Sequence, residues 1–191
     1  VLQVLTVGRR NVINGSCRFM GHDAVEIDFV MPWVDGSDPA WREEFLKYRA
    51  LQAPQGEPAC DTGTAAGAVD ASEERYRDWD TLRYWFRGVE RFAPWVNRIH
   101  FITWGHLPAW LDTAHPKLHV VRHADYIPSP YLPTFNSCPI ELNMHRIEGL
   151  AEHFVYFNDD TFLCRPVGPE RFFLNGLPRD CLLYTSPSPR D

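Results

Sequence analysis

The sequence lacks the short motifs that identify common cofactor sites and nucleophiles: it has no CxxC pair, no glycine-rich phosphate loop and no dinucleotide-binding fingerprint. Its five cysteines are odd in number and widely spaced, which argues against a disulfide framework or a zinc cage and favours a reducing compartment. No stretch approaches the roughly 18 apolar residues of a membrane span. A ligand site must therefore be sought in where polar residues fall along the fold.

An excess of positive charge is also missing. The formal net charge is −6 and the pI is about 5.7, which argues against a nucleic-acid binder, since such a protein needs a basic face. A phosphate-bearing ligand must then meet a few placed arginines or a metal ion, because the overall field does not attract it. A chain of 191 residues suits one domain.

Apolar runs alternate with helical patterns along the middle of the chain. Strands are predicted at EIDFVMPWV, RIHFITW, KLHVVRH and FVYF, and helices at AWREEFLKYRA, from an Asp80 cap to Pro94, near PAWL, and at IELNMHRIEGLAEH after a Ser137 cap. This order predicts an α/β fold with an open, mostly parallel sheet. Residues 1–25 show no sustained period and receive no assignment, and residues 53–72 predict a variable surface loop.

Two of the predicted strands end in polar residues. The strand FVYF is followed by Asn158, Asp159 and Asp160, where two like charges stand side by side. A hard cation such as Mg²⁺ or Mn²⁺ suits such carboxylates, since it keeps several waters and bridges substrate phosphates. Strand alternation predicts Asn158 and Asp160 on one side and Asp159 on the other, unless the backbone turns there. The alternative is that the aspartates cap the following turn.

The other polar strand end is WVDG. Trp33 offers a flat surface for a base or sugar ring, Asp35 a hydrogen-bond acceptor for a ribose or a second metal ligand, and Gly36 turn freedom. The alternative is a core tryptophan followed by an Asx turn at Asp35. In open α/β sheets ligands bind beyond the carboxyl ends of the strands, and both WVDG and NDD fall there.

The predicted helix after Ser137 has an apolar and a polar stripe. The apolar stripe consists of Ile140, Met144, Ile147 and Ala151, and the polar stripe of Glu141, His145, Glu148 and Glu152. Arg146 lies between two leucines, beside Asn143, and is expected to meet a carboxylate or a phosphate. His145 alternatively lies on a solvated face among glutamates.

Two further patterns point to charged ligands. Arg77 and Arg83 surround a predicted helix N-terminus, which favours anions, although a capping network with Asp78 and Asp80 is an alternative. Three histidines, His115, His119 and His123, are spaced by four residues. Because this segment is predicted to be a strand, the spacing does not favour a metal stripe.

Three long stretches resemble one known family: IDFVMPWVDGSDP, RYRDWDTLRYWFRGVERFAPWVNRIHFITWGHLPAWL and YLPTFNSCPIELNMHRIEGLAEHFVYFNDDTFL. In this order they are similar to the first and second conserved regions of the Stealth family. That family includes bacterial capsular polysaccharide phosphotransferases and the animal lysosomal N-acetylglucosamine-1-phosphotransferase alpha/beta subunit. The resemblance covers most of residues 26–167.

The resemblance implies a nucleotide-sugar-transferase-like fold and transfer of a sugar 1-phosphate. The donor is a nucleotide diphosphate sugar, the acceptor is a glycan hydroxyl, and the setting is capsule or exopolysaccharide synthesis in the bacterial cytoplasm. Two alternatives stay open. One is a metal-dependent glycosyltransferase, which moves the sugar without its phosphate, and the other is a non-catalytic nucleotide-sugar or glycan binding module.

The resemblance also implies roles for particular residues. Asp159 and Asp160 are expected to be catalytic and to hold Mg²⁺ or Mn²⁺, and His145 is expected to be catalytic as well. The implied donor-binding residues are Trp33, Asp35, Gly36, Arg83, Asn143, Arg146 and Asn158.

The expected organisation is a partial catalytic domain at residues 26–180, with the first conserved region at 26–39 and the second at 75–167. Stealth proteins carry two further conserved regions after these. The general base is expected there, and the fragment alone is expected to be inactive with an incomplete fold. The stretch CLLYTSPSPRD, residues 181–191, resembles the translation of a sequencing-library transposon adapter and is expected to be an artefact.

Overall fold

The secondary structure follows the predicted alternation of strands and helices in a computed structural model that describes residues 3–6, 25–52 and 76–179. The strands are β1 (Gln3–Thr6), β2 (Ile27–Pro32), β3 (Ile99–Thr103), β4 (Leu118–Arg122), β5 (His153–Tyr156), β6 (Phe173–Leu174) and β7 (Leu177–Pro178). The helices are α1 (Pro39–Gln52), α2 (Leu82–Phe92), α3 (His123–Tyr126) and α4 (Ser137–Leu142). The predicted loop at 53–72 and the suspected artefact at 181–191 lie outside the described residues.

The main sheet has five strands in the order β1-β5-β2-β3-β4. Strands β5, β2, β3 and β4 run parallel, and β1 joins β5 antiparallel at one edge. This arrangement confirms the predicted α/β fold with an open, mostly parallel sheet. β2 and β3 are buried on both faces, which is why they read as continuous apolar runs. β1 was not predicted, because four residues are too few to show a period.

Apolar side chains pack on both faces of this sheet. On one face Phe29 and Phe101 pack with Trp85 and Val89 of α2. On the other face the core includes Val30 and Ile102 of the sheet with Tyr126, Met144 and Ile147 of the connecting segments. The sheet is therefore fixed between two apolar layers, and its strand ends are held in place. In the described part of the chain, no helix combines the length and apolarity needed to cross a membrane.

The two long helices begin differently. Asp38 caps α1, since its Oδ1 accepts a hydrogen bond from the Trp41 backbone N–H at 2.8 Å. The predicted cap of α2 is wrong. Asp80 has a φ of 52°, the helix N-cap is Thr81 without a side-chain bond, and the Asp80 carboxylate lies 3.8 Å from Arg83 Nε. The Asp80 carboxylate therefore pairs with the Arg83 side chain and does not cap the helix.

The single helix predicted for IELNMHRIEGLAEH is wrong. α4 ends at Leu142, a 3-10 turn follows at Met144–Arg146, and Gly149 has a φ of 74°. The cap is Asn136, whose Oδ1 accepts from the Cys138 N–H at 2.9 Å, and not Ser137. The two helical stripes therefore do not form. Met144 and Ile147 are nevertheless buried in the core, from the 3-10 turn and the residue that follows it. The helix predicted near PAWL is one turn, closed by Leu111 N–H to the Pro108 carbonyl at 3.0 Å.

A buried polar network lies near the beginnings of β2, β3 and β5. The fully buried Asp28 carboxylate accepts hydrogen bonds from His100 Nε2 at 2.9 Å, Asn97 Nδ2 at 2.8 Å and the Ala151 N–H at 2.8 Å. His119 Nδ1 lies 3.0 Å from His100 Nδ1, so it extends the network to the edge strand β4. The network therefore joins β2, β3 and β4 and the segment that leads into β5, at the end of the sheet opposite WVDG and NDD.

Candidate functional site

Polar residues converge where the parallel strands of the sheet end. β2 leads into Trp33 and Asp35, and β5 leads into Asn158–Asp160. β3 leads into a loop that contains His106, and β4 leads directly into His123 at the start of α3. Because these strands are parallel, their carboxyl ends meet at one edge of the sheet. The predicted convergence of WVDG and NDD is present.

The WVDG loop is a tight, hydrogen-bonded turn. Asp35 Oδ1 accepts from the Ser37 N–H at 2.8 Å and from Ser37 Oγ at 2.6 Å, and the Asp35 N–H donates to His106 Nε2 at 2.8 Å. The Gly36 N–H donates to the Tyr76 carbonyl at 2.8 Å. A Cβ at Gly36 would lie 2.6 Å from that carbonyl oxygen, so only glycine allows this approach. The Asx turn left open as an alternative is thus formed.

The NDD segment forms a turn after β5. The Thr161 N–H donates to the Asn158 carbonyl at 3.0 Å, and Thr161 Oγ1 donates to Asp160 Oδ1 at 3.2 Å. Asp159 is exposed as a residue, yet the protein around its carboxylate reduces its hydration and raises its pKa, and the negative charge of Asp160 raises it further. The turn therefore brings the two carboxylates into mutual repulsion, which a cation would relieve.

Three neighbouring cavities surround these loops. The acidic cavity, of about 340 Å³, is lined by Asp159, Asp160, Arg77, Asp78, Trp33 and four other residues. The histidine cavity, of about 320 Å³, is lined by His123, Glu141, Tyr156, Asn158, Asp159 and nine others, Trp33 among them. The arginine cavity, of about 710 Å³, is lined by Arg42, Arg49, Arg77, Asp35, Gly36 and six others. Trp33 and Asp159 line both the acidic and the histidine cavity.

Asp159 and Asp160 are the residues of the acidic cavity that could hold a divalent cation. In the described residues no group of three or more His, Cys, Asp or Glu side chains could hold a metal alone. Mg²⁺, however, is commonly bound by one or two carboxylates together with substrate phosphates. Asp159 and Asp160 supply two hard oxygen ligands in one cavity, and the repulsion between them favours a bound cation.

The structure brings together six of the implied site residues. Trp33, Asn158 and Asp159 line the histidine cavity, Asp160 lines the acidic cavity, and Asp35 and Gly36 line the arginine cavity. The Trp33 ring is only 7% exposed and stacks on Phe101 with ring centroids 5.7 Å apart, so it is a core ring as well as a cavity wall.

The four other implied site residues lie elsewhere. The Arg83 guanidinium lies 5.3 Å from the Trp110 ring centroid, and Asn143 Nδ2 donates to the Pro139 carbonyl at 2.8 Å. His145 and Arg146 are exposed on the 3-10 turn. None of these four residues lines the three cavities.

Sequence reasoning missed several residues that the structure adds to the site. His106 and His123 follow β3 and β4, so the strand-end rule that identified WVDG and NDD would have found them. Glu141 and Tyr156 had no such signal, because their contact depends on how α4 packs against β5: Tyr156 Oη donates to Glu141 Oε1 at 3.2 Å. Arg77 was noted, and it lines the acidic cavity where Arg83 does not.

Buried nitrogens without partners gather at this edge of the sheet. Within the described residues, four buried side-chain nitrogens make no hydrogen bond: Trp33 Nε1, His106 Nδ1 and His123 Nδ1 follow strands at this edge, and Trp85 Nε1 belongs to α2. Burial lowers the pKa of His106, and burial together with the nearby His106 lowers the pKa of His123 to about 4. Unpaired buried polar groups are costly, so their concentration beside the carboxylates marks a place where a ligand can supply partners.

We expect the free energy of unfolding to fall as the pH drops from about 6.5 to about 4, because His123 stays neutral in the fold but takes up a proton in the unfolded chain. Its contribution is complete above pH 6.5, and about 3 kcal/mol is lost across this window. Urea unfolding of His123→Gln at a series of pH values should show a shallower dependence.

The control for this prediction is His115→Gln, at an exposed position, which should leave the pH dependence unchanged. His106 and His119 also have lowered pKa values and contribute with the same sign, so the dependence is reduced and not abolished. The same slope in wild type and His123→Gln contradicts a neutral buried histidine at this position.

Family profiles match two parts of the chain. Residues 25–51 match the profile described as Stealth protein CR1, conserved region 1, and residues 75–180 match Stealth protein CR2, conserved region 2. The second match alone covers more than half of the 191 residues.

Curated bacterial proteins are similar over most of the chain. It is 52% identical over 158 residues to the capsular polysaccharide phosphotransferase WcwK of Streptococcus pneumoniae, which covers 83% of this chain and 44% of that protein. It is 47% identical over 161 residues to the receptor polysaccharide phosphotransferase WefC of Streptococcus oralis, covering 81% and 43%. The capsular polysaccharide phosphotransferase CpsJ of Streptococcus thermophilus is 46% identical over 161 residues, covering 83% and 62%. The chain thus spans less than half the length of the first two relatives.

Proposed function

Because the chain belongs to the Stealth protein family, we propose that it forms part of a sugar-1-phosphate transferase of bacterial capsular or exopolysaccharide synthesis. The donor is a nucleotide diphosphate sugar and the acceptor is a glycan hydroxyl. Three relatives support this proposal by name, since WcwK and CpsJ are called capsular polysaccharide phosphotransferases and WefC a receptor polysaccharide phosphotransferase. Action in the cytoplasm is part of the proposal.

The observation that carries the proposal is the acidic cavity at the carboxyl ends of the parallel strands. Asp159 and Asp160 share it with the guanidinium of Arg77. A diphosphate needs cationic partners, and this protein has a net charge of −6, so they must be local. A divalent cation held by the two aspartates would neutralise the charge on the diphosphate, and Arg77 would contact its oxygens.

In the proposed reaction, an acceptor oxygen attacks the phosphorus nearer the sugar. The bond from that phosphorus to the bridging oxygen breaks, a nucleoside monophosphate leaves, and the proton of the acceptor hydroxyl passes to the surrounding water. Positioning and charge neutralisation supply most of the catalysis in such transfers. The protein's part is to hold the diphosphate in line with the acceptor, which suits a site built on rigid strand ends.

Individual roles follow from the cavities. Trp33, Asp35 and Gly36 are proposed to contact the donor, and Asn158 stands next to the proposed metal-binding pair. Arg77 is favoured for the diphosphate because it lines the same cavity as Asp159 and Asp160. The roles implied for Arg83, Asn143, His145 and Arg146 stay predictions, since these residues lie outside the cavities.

The test is product analysis with the full-length protein that contains this chain. It is incubated with Mg²⁺, a panel of nucleotide diphosphate sugars and a polysaccharide acceptor, and the released nucleotide is identified by chromatography. We expect nucleoside monophosphate. Release of nucleoside diphosphate would instead show a metal-dependent glycosyltransferase, and saturable donor binding without turnover would show a binding module.

A further inference from the structure

The histidine cavity differs in charge from the two cavities beside it. Arg77 lines the acidic cavity, and three arginines line the arginine cavity. None of the described residues that line the histidine cavity is an arginine or a lysine, whereas Glu141 and Asp159 contribute two carboxylates. An anionic group would be repelled there at close range. The histidine cavity is therefore a poor phosphate site and must take an uncharged or cationic part of a ligand.

The hydrogen-bonding groups of this cavity suit hydroxyls. Glu141 accepts one bond from Tyr156 Oη at 3.2 Å, and a carboxylate can accept about four. His123 is 9% exposed, with an unpartnered Nδ1. Trp33 Nε1, also unpartnered, can only donate. A ligand hydroxyl both donates and accepts, so a polyhydroxy ligand can satisfy acceptors and donors of this wall together.

Aromatic rings form one wall of the histidine cavity. Trp41, Tyr76 and Phe135 line it, with Trp41 4.9 Å from Tyr76 and 5.6 Å from Phe135 between ring centroids. Tyr76 Oη donates to the Phe135 carbonyl at 2.9 Å, which ties these rings together. Small-molecule sites commonly pair an aromatic wall with a few placed polar groups in about 300–1,000 Å³, and this cavity measures about 320 Å³.

We infer that the histidine cavity binds an uncharged pyranose ring, with Glu141 and His123 at its hydroxyls and the Trp41–Phe135 wall against its C–H face. This inference rests on the proposed function, which supplies a sugar on each substrate. Asp159 lines both this cavity and the acidic cavity, so a ring bound here lies next to the diphosphate. The ring is either the hexose of the donor or the terminal sugar of the acceptor.

The test compares two ligands on the full-length protein with and without the substitution Glu141→Gln. The glutamine keeps the side-chain volume and one acceptor oxygen for Tyr156, while it removes the charge and replaces the second acceptor oxygen with an NH2 donor. Calorimetric affinities are measured with Mg²⁺ for a nucleotide diphosphate sugar and for the same nucleoside diphosphate without sugar. If the donor hexose occupies the cavity, wild type binds the nucleotide sugar more tightly, and Glu141→Gln loses roughly 10-fold of that advantage, as expected for a bond to a charged group.

The acceptor arm uses steady-state kinetics. If the acceptor sugar occupies the cavity, Glu141→Gln leaves both donor affinities unchanged and raises the KM for acceptor roughly 10-fold. His123→Gln serves as a second variant in both arms, and Glu148→Gln, an exposed carboxylate outside the cavity, is the matched control. If Glu141 has only a structural role, Glu141→Gln weakens the binding of nucleoside diphosphate as much as the binding of nucleotide sugar. This result overturns the inference.

Failure of the inference and failure of the proposed function are separable. If wild type releases nucleoside monophosphate but neither variant changes sugar affinity or acceptor KM, the sugar subsite is wrong and the proposed reaction stands. If wild type releases no monophosphate, the reaction is wrong, whereas a sugar-dependent loss of affinity in Glu141→Gln still supports the subsite.

Discussion

Replacing Asp159 or Asp160 with asparagine in the full-length protein is expected to lower transfer by roughly 100-fold to 1,000-fold, comparable to losing one electrostatic contact to a transition state. Asparagine keeps the volume, and at position 160 it keeps an acceptor for Thr161 Oγ1. The change therefore removes charge while the turn is retained. Initial rates at increasing Mg²⁺ concentration measure both the loss and any shift in metal requirement.

The control is Glu152→Gln, an exposed carboxylate just before the beginning of β5, at the opposite end of the same strand. It should leave the rate unchanged. A further sign separates function from structure: Asp160→Asn should slightly raise the thermal stability of the metal-free protein, because Asp160 helps to raise the pKa of Asp159 by repulsion. Unchanged turnover and unchanged Mg²⁺ dependence in both variants would remove the metal-binding pair from the proposal.

Asp28→Ala is expected to lower the free energy of unfolding by about 3–5 kcal/mol, because it leaves the donors of His100, Asn97 and Ala151 buried without their acceptor. Urea unfolding monitored by tryptophan fluorescence measures the loss. Glu26→Gln, two residues away and exposed, is the control and should lie within about 0.5 kcal/mol of wild type. A loss below about 1 kcal/mol would mean that the network is not an important contact between strands.

The same network also makes the free energy of unfolding depend on pH in the acid range. Burial alone raises the pKa of Asp28, but the hydrogen bond from His100, followed by those from Ala151 and Asn97, outweighs it and holds the pKa below the usual 3.8. A lowered carboxyl pKa stabilises the fold above that value, and the contribution is lost as the pH falls below it. The loss of stability due to Asp28 thus begins at the pH where the loss due to His123 is nearly complete. Asp28→Ala should therefore remove only the part of the pH dependence that lies below about pH 4.

Much of the fold was predictable because long apolar runs leave few choices. β2, β3, β4 and β5 and the helices α1 and α2 each occur where the pattern placed them. The errors fall where local signals compete. The segment from Ile140 to His153 has helical spacing, but Gly149 and the burial of Met144 and Ile147 favour a broken path. β1 is four residues long and is held by pairing with β5, which no local pattern reports.

The candidate site was predictable to the extent that it lies at strand ends. Trp33, Asp35, Asn158, Asp159 and Asp160 follow strands directly, so the parallel sheet alone brings them together. His145 and Arg146 depended on a helix that is not formed, and they lie on an exposed turn. The alternation of side chains expected for Asn158–Asp160 is not kept in the turn after β5, where Asp159 and Asp160 line one cavity. Strand alternation no longer holds once the strand ends.

The sequence by itself determined the order of strands and helices, the acidic pair after β5, the WVDG turn and the resemblance to the Stealth family, since each depends on neighbours along the chain. Only the tertiary structure decided that Arg77 and not Arg83 shares a cavity with Asp159, that Asp28 is buried among three donors, and that Glu141 and His123 face one cavity. The physical reason is distance along the chain. These contacts join residues from separate segments, and their geometry is set by how the connecting segments pack on the sheet.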